Sequence, residues 1–267
     1  MTVVAAVVAP HPPLLHPAVG GVEVEKVRAT AAAMERVAAA IAAKEPDVLV
    51  FISPHSPTIE DAFALRTGPS ARGSFARFGH PDIDFDIRID VELARAIADE
   101  AESSGLAVQR IEDTRALDWG VLVPYHFIGG GRPIVSLSIS GLDYRRHEAW
   151  GRAVGRAADS FGRRIVFVAS GDLSHRLSPK SPYGYAPAGE TFEEEVVSIF
   201  NSGKLKDLAE IDPGLVAEAA ECGLRSFIAL SGVLDGLEFH GGTLAHEGPF
   251  GVGYAVALFE TREGSHV

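Results

Sequence analysis

Cysteine is almost absent from this chain, since Cys222 is the one example in 267 residues. A single cysteine cannot form an internal disulfide framework, which excludes the small disulfide-stapled secreted folds. The same scarcity fits a reducing compartment, so we expect a cytoplasmic protein. Apolar runs are also short, and none approaches the roughly 20 residues of a membrane-spanning helix, so no membrane association is expected.

Basic residues are too few to balance the acidic ones. Lys and Arg total 24 against 36 Asp and Glu, which gives a formal net charge of −12 at pH 7. A field of that sign repels phosphate backbones, so nucleic acid is not expected as a partner. Hydrophobic residues make up 46% of the chain, enough to build the core of an ordinary globular protein.

Three apolar runs have the same residue pattern. Residues 3–8, 48–52 and 165–169 are rich in β-branched side chains and apolar on both faces, as in central strands covered by helices. The first run lacks the basic flank of a secretion signal and is interpreted as a strand. Residues 22–45 have apolar residues at helical spacing, which predicts a βαβ unit whose two strands are parallel.

The rest of the chain continues the alternation of helices and strands. Helices are predicted over residues 90–104, 144–161, 189–201, 213–220 and 225–234, and strands over 133–138, 237–246 and 250–259. This order predicts a single α/β domain, residues 1–267, with a central, mostly parallel or mixed sheet flanked by helices. Glycine and proline interrupt residues 53–86, which are predicted as a long irregular excursion over the surface.

Three histidines stand where the predicted central strands end. His11, His55 and His175 each follow an apolar run by two to six residues. Ligands bind at the carboxyl ends of strands in open α/β sheets, because the loops diverge there. Two imidazoles and a carboxylate would form a metal site with open positions, suited to Fe(II) or Zn. Each histidine taken alone is better explained as a hydrogen-bonded loop residue, and it is the three equivalent positions together that favour a shared site.

Five motifs, taken in order, carry a resemblance to a known family. They are residues 9–15 (APHPPLL), 52–55 (ISPH), 170–175 (SGDLSH), 221–223 (ECG) and 247–254 (EGPFGVGY). The series resembles the LigB-like catalytic chains of the class III extradiol ring-cleavage dioxygenases, near the Memo and AMMECR1-associated branch. The resemblance covers almost the whole chain and implies one LigB-like domain.

The resemblance also implies roles for individual residues. His11 and His55 match the two iron-binding histidines and Glu221 matches the acidic ligand, which together leave positions for substrate and O₂. His175 matches a histidine outside the ligand set that acts as acid or base. The implied protein is a homodimer that uses Fe(II), or Zn as the alternative metal, and cleaves a catechol-like or aminophenol-like aromatic ring with O₂.

The loop that carries Glu221 leaves two alternatives open. Glu221 could instead be a solvated carboxylate on the same turn as Glu218. Cys222 could compete for the metal, and its thiolate would favour Zn or Cu over an oxygen-activating Fe(II). Cys222 could also be a small buried apolar residue.

One position departs from the family pattern. Where relatives carry Asp-His-Gly, this chain has Asp118-Trp119-Gly120, so an indole replaces a histidine thought to assist catalysis. Indole cannot accept or release a proton near neutral pH, but it can stack on a planar ligand or fill the pocket. His126 is interpreted as a partly buried helix residue. The alternatives to ring cleavage are a Memo-like metal-binding protein without that activity and a Zn-dependent hydrolase using the same ligands.

Overall fold

The computed structural model describes residues 2–112 and 116–266, with side chains up to residue 262. The strands are β1 (Val3–Ala9), β2 (Val48–Ser53), β3 (Phe63–Arg66), β4 (Ser70–Phe75), β5 (His80–Arg88), β6 (Val108–Ile111), β7 (Ile134–Ser138), β8 (Ile165–Ser170), β9 (Leu237–Glu247) and β10 (Tyr254–His266). The helices are α1 (Pro17–Gly20), α2 (Arg28–Lys44), α3 (Val91–Ser103), α4 (Trp119–Ile128), α5 (Tyr144–Phe161), α6 (Pro187–Ser202), α7 (Pro213–Ala219) and α8 (Leu224–Val233).

Eight of these strands form one mixed sheet in the order β6-β3-β7-β2-β8-β1-β10-β9. The four central strands, β7, β2, β8 and β1, run parallel to one another. β10 runs antiparallel to β1 and β9 runs antiparallel to β10. The predicted α/β fold with a mixed sheet is confirmed. The predicted βαβ unit is present as β1, α2 and β2, with β8 inserted between its two strands.

Helices cover both faces of the sheet, which explains why the central strands are apolar throughout. Alternate side chains of one strand point to opposite faces. Along β2, Val50 and Ile52 join the core on the side of α3, α5, α6 and α8, whereas Leu49 and Phe51 join the core on the side of α2 and α4. All four side chains are fully buried.

The prediction for residues 53–86 was wrong, because this segment is largely regular. It contains β3, which belongs to the main sheet, and the β4–β5 hairpin, which forms a separate two-stranded sheet. In β4 the inward positions are Ala71, Gly73 and Phe75, alternating with more exposed residues. Two of these three are small, so the period-two pattern that marks a strand is weak in the sequence.

None of the helices in the described ranges is both long enough and apolar enough to cross a membrane.

Candidate metal centre

The carboxyl ends of three parallel strands meet at one edge of the sheet, since β8 lies between β2 and β1. His11 comes two residues after β1 and His55 two residues after β2, so both imidazoles reach this edge. Their Nε2 atoms are 3.0 Å apart, and the rings meet edge to face with centroids 4.8 Å apart. The structure therefore brings together the two histidines that the sequence singled out as metal ligands.

His11 is held in place by the residues that end and follow β8. Its ring is buried, with Nδ1 2.9 Å from Ser170 Oγ, and its backbone N–H donates to Asp172 Oδ1 at 2.9 Å. A proton on Nδ1, donated to the Ser170 hydroxyl, leaves the Nε2 lone pair directed toward His55. Fixing one ring nitrogen by a hydrogen bond is how proteins orient a histidine that binds metal through the other.

Cys222 supplies the third atom of the cluster. Its Sγ lies 3.7 Å from His11 Nε2, and the ligand atoms of His11, His55 and Cys222 all lie within 4.8 Å of one another. A close approach of two glycines places it there, because a Cβ on Gly171 would lie 2.2 Å from the Cα of Gly223. Burial raises the pKa of the Cys222 thiol well above its usual value. A bound cation would have to offset that burial to stabilise the thiolate.

Glu221, the acidic ligand that the resemblance implies, faces elsewhere. Its Oε2 accepts a hydrogen bond from the Leu224 backbone N–H at 2.6 Å, at the start of α8. Cys222 rather than Glu221 belongs to the group of three ligand atoms. The assignment of Glu221 as a ligand therefore stays a prediction that rests on the resemblance alone.

Asp172 is a site residue that the sequence reasoning did not single out. It is buried, its Oδ2 lies 3.7 Å from His11 Nε2, and burial raises its pKa to about 6. Its backbone N–H also donates to Cys222 Sγ at 3.3 Å. The signal was available, because Asp172 follows β8 by two residues, just as His11 and His55 follow their strands.

Both histidines of the cluster are neutral at physiological pH. Burial lowers the pKa of His11 to about 3, with the charge of Asp118 opposing this shift. Burial and the neighbouring His11 lower the pKa of His55 to about 4. Only the neutral imidazole can bind a metal, so the site favours the protonation state that coordination requires.

His175, the predicted catalytic histidine, lies beside the cluster. Its positive charge would lower the pKa of His11, His55 and Asp172, which places it within electrostatic range of all three. Its backbone N–H donates to the Ala219 carbonyl at 3.2 Å. Its buried Nδ1 has no hydrogen-bond partner in the described part of the chain. An unsatisfied buried nitrogen is uncommon in folded proteins and is consistent with a catalytic role of this histidine.

A family model described as the catalytic LigB subunit of aromatic ring-opening dioxygenase matches residues 5–257. The chain belongs to the LigB family. A solved structure, that of uncharacterized protein JW3007 from Escherichia coli K12, supports the fold with a TM-score of 0.66 at 16% identity. That alignment covers 96% of this LigB-family chain and 99% of the E. coli protein.

Three relatives of this LigB chain illustrate the range of similarity. Protein CA_C1420 of Clostridium acetobutylicum is 35% identical over 94% of this chain and 56% of its own length. The 2-aminophenol 1,6-dioxygenase beta subunit of Pseudomonas sp is 25% identical over 70% of this chain and 68% of its own. The 2,3-dihydroxyphenylpropionate/2,3-dihydroxicinnamic acid 1,2-dioxygenase of Escherichia coli is 28% identical over 51% of this chain and 46% of its own length. The chain thus spans about half the length of the first and the third.

The spacing of the donor atoms in the cluster fits a bound metal ion. Two nitrogens bound to one ion at about 2.1 Å lie about 3 Å apart when they subtend a right angle, in agreement with the observed separation. Two imidazoles and one sulfur form a softer donor set than two imidazoles and a carboxylate. The geometry therefore accommodates an ion, and the donor chemistry suits Zn or Cu at least as well as Fe(II).

Trp119, which stands where the resemblance implies a histidine, packs on the cluster from the side. The indole stacks on His55, with ring centroids 4.1 Å apart and planes at 28°. Asp118 anchors the start of α4 by accepting a hydrogen bond from Ser53 Oγ at 2.6 Å. Gly120 allows this approach, because a Cβ there would lie 2.2 Å from the same hydroxyl. Trp119 therefore covers one face of a candidate metal ligand.

Replacing Glu221 by glutamine is expected to change how stability depends on pH. Burial raises the pKa of Glu221 to about 7, so the folded state holds a proton that the unfolded chain loses near its ordinary value of 4.5. The stabilisation from this proton is complete below the unfolded pKa and is lost as pH rises through 7. Between about pH 5 and about pH 8.5, the free energy of unfolding of the wild type should fall by about 2 kcal/mol relative to that of Glu221→Gln. This figure allows for the partial exposure of the Glu221 side chain.

The measurement is urea unfolding of both metal-free proteins at the two pH values. Comparing the difference between wild type and variant removes the contributions of all other titrating groups. Parallel pH dependences of the two proteins would contradict the prediction.

Proposed function

We propose that this LigB-family protein is a metal-dependent dioxygenase of the extradiol type that opens a catechol-like or aminophenol-like ring with O₂. The proposal rests mainly on the His11–His55 pair, whose Nε2 atoms are 3.0 Å apart at the carboxyl edge of the sheet. Two similar proteins carry names that give 2-aminophenol and 2,3-dihydroxyphenylpropionate as dioxygenase substrates. The family model, matched along residues 5–257, supports the same reaction class.

In this proposal His11 and His55 hold the ion, with Cys222 as the third donor. A bound divalent ion would lower the pKa of a ring hydroxyl and hold the ring and O₂ next to each other. Ser170 and Asp172 keep His11 oriented through its Nδ1 and its backbone N–H. Both imidazoles are neutral before the ion arrives, so no proton has to be displaced from either ring.

His175 provides the acid–base function. The imidazole lies within electrostatic range of His11, His55 and Asp172, so one of its ring nitrogens can accept a proton from a hydroxyl of a ring bound at the cluster. The same nitrogen can return that proton to an oxygen of the product as the ring opens. Trp119 covers one face of His55 and keeps water from that side of the site, while taking no part in proton transfer.

The identity of the third ligand can be tested with two neighbouring substitutions. Cys222→Ala should weaken Zn binding by about 100-fold or more, because even residues that only support a ligand contribute about 10–100-fold to affinity. Glu221→Gln should leave Zn binding within about 3-fold of wild type, since its carboxylate caps α8. Competition of each variant with a chromophoric chelator measures the affinity. A larger loss in Glu221→Gln than in Cys222→Ala would instead assign the glutamate as the ligand.

The activity is tested by reconstituting the protein with Fe(II) without air and then adding O₂ and a panel of catechols and aminophenols. The expected result is oxygen uptake with the appearance of a yellow ring-opened product. The control is the same protein carrying Zn in place of Fe(II). Stoichiometric Fe(II) binding without oxygen uptake across the panel would contradict the proposed function.

A second candidate function is that of a metal-binding protein of the same fold without ring cleavage. The sulfur of Cys222 in the candidate ligand set favours it, and so does the indole of Trp119 where the resemblance implies a histidine. This candidate predicts Zn or Cu at full occupancy in protein purified without chelators, and no oxygen uptake after exchange to Fe(II). Metal analysis combined with the oxygen assay separates the two functions.

For the setting of the reaction, we propose the cytoplasm, where Cys222 would stay reduced and available to a metal. We also propose a homodimer, in line with the family resemblance. Sedimentation of the purified protein measures the oligomeric state.

A further inference from the structure

The β4–β5 hairpin brings a cation to the candidate metal centre. One turn of 3₁₀ helix, Ala76–Phe78, connects its two strands. The Arg77 guanidinium carbon lies 4.4 Å from the Trp119 ring centroid, and the Phe78 ring meets the same indole edge to face at 5.9 Å. Because Trp119 also stacks on His55, Arg77 is one side chain away from a candidate metal ligand.

Arg77 carries its charge without an acidic partner. No carboxylate among residues 2–112 and 116–262 forms an ion pair with it, and it is exposed to solvent. Arg72 on the same hairpin differs in this respect, since its Nε lies 3.3 Å from Asp86 Oδ2. What distinguishes Arg77 is its position, because its guanidinium lies over the indole that stacks on His55.

An anionic ligand would gain from this arrangement in two ways. The guanidinium can donate two parallel hydrogen bonds to a carboxylate while it stays over the indole. It also provides local attraction on a molecule whose overall field repels anions. The contacts through Trp119 put the guanidinium carbon at most about 8.5 Å from the His55 ring centre, a distance that an aromatic ring with a short carboxylate side chain spans.

We propose that Arg77 binds the anionic side group of the substrate, so that the site selects aromatic rings bearing a carboxylate over neutral rings. The inference rests on the proposed function in that the ring is taken to bind at the cluster formed by His11, His55 and Cys222. Arg77 is then a specificity residue, and the β4–β5 hairpin determines which ring compounds the site accepts.

The test is calorimetric titration of the Zn-loaded full chain, without O₂, with catechol and with 3-(3,4-dihydroxyphenyl)propanoate. Wild type should bind the carboxylate compound about 10-fold or more tightly than catechol, as expected for charge-assisted hydrogen bonds at a partly exposed site. Arg77→Gln should remove this preference by weakening only the carboxylate compound. Arg77→Lys should keep part of it, because the charge remains but the planar fork is lost.

Arg72→Gln is the matched control, since it removes an arginine from the same hairpin and should leave the preference unchanged. Raising the salt concentration should reduce the preference of wild type, whereas the two compounds should bind Arg77→Gln about equally at every salt concentration. Equal affinity of wild type for the two compounds, or a preference that survives in Arg77→Gln, would overturn the inference.

The two proposals fail in different ways. Oxygen uptake with catechol, together with a carboxylate preference that does not depend on Arg77, would overturn the specificity role alone. A preference that depends on Arg77, without oxygen uptake from any catechol after Fe(II) loading, would support that role and contradict ring cleavage.

Discussion

Replacing His11 by alanine is expected to reduce the bound metal from one ion per chain to almost none and to lower ring-opening activity by about 1,000-fold or more. The buried imidazole is central to the cluster, because its Nε2 lies 3.0 Å from His55 Nε2 and 3.7 Å from Cys222 Sγ. Loss of an ion that contributes several kcal/mol to transition-state stabilisation corresponds to a rate loss of at least this size. Metal analysis after loading with Zn or Fe(II), followed by the oxygen assay, measures both effects.

The matched control is His240→Ala on β9. His240 is exposed on the edge strand β9 and lies 3.8 Å from Glu260, which is opposite Ala5 in β1 and not at the end of β1 that leads to His11. Its removal should therefore leave metal content and activity unchanged. Circular dichroism of both variants establishes that each is folded. Full metal occupancy in folded His11→Ala protein would contradict the assignment of His11.

Replacing His175 by alanine should separate catalysis from metal binding. His175 lies beside the cluster but outside its three ligand atoms, so His175→Ala should bind metal as the wild type does. Removal of a general acid or base typically lowers a rate by about 10²–10⁴-fold, and the loss should appear in kcat. The measurement is the pH profile of kcat for wild type and variant at full metal occupancy. The wild-type profile should depend on the ionisation of one base, and this dependence should be absent from the variant.

A purely structural role of His175 would give a different result. Its removal would then lower stability or metal content and leave the shape of the pH profile intact. Loss of activity in proportion to loss of metal would therefore count against an acid–base role.

The parts of the fold that follow from local pattern could be predicted from the sequence. The β-branched runs and the helix between the first two indicated two parallel strands, and β1 and β2 do run in the same direction. The position of β8 between them could not be predicted, because strand order depends on packing between distant segments. The β4–β5 hairpin was missed since small residues on its buried face obscure the alternation.

The third member of the cluster could not be predicted either, because its identity also depends on packing between distant segments. Glu221 and Cys222 are neighbours, and the sequence cannot say which side chain faces His11. The answer depends on the close approach of Gly171 and Gly223, which turns the loop so that sulfur points at the imidazole and the carboxylate caps α8. Such a contact between two loops far apart in the chain leaves no periodic signal in the sequence.

We expect one metal ion to bind between His11, His55 and Cys222. The most direct measurement is a crystal structure of the Zn-loaded protein with the ion located by anomalous scattering. We expect one ion per chain, with two nitrogen ligands at about 2.0–2.1 Å and one sulfur ligand at about 2.3 Å. An ion held by other residues, or none between His11 and His55 at saturating Zn, would contradict it.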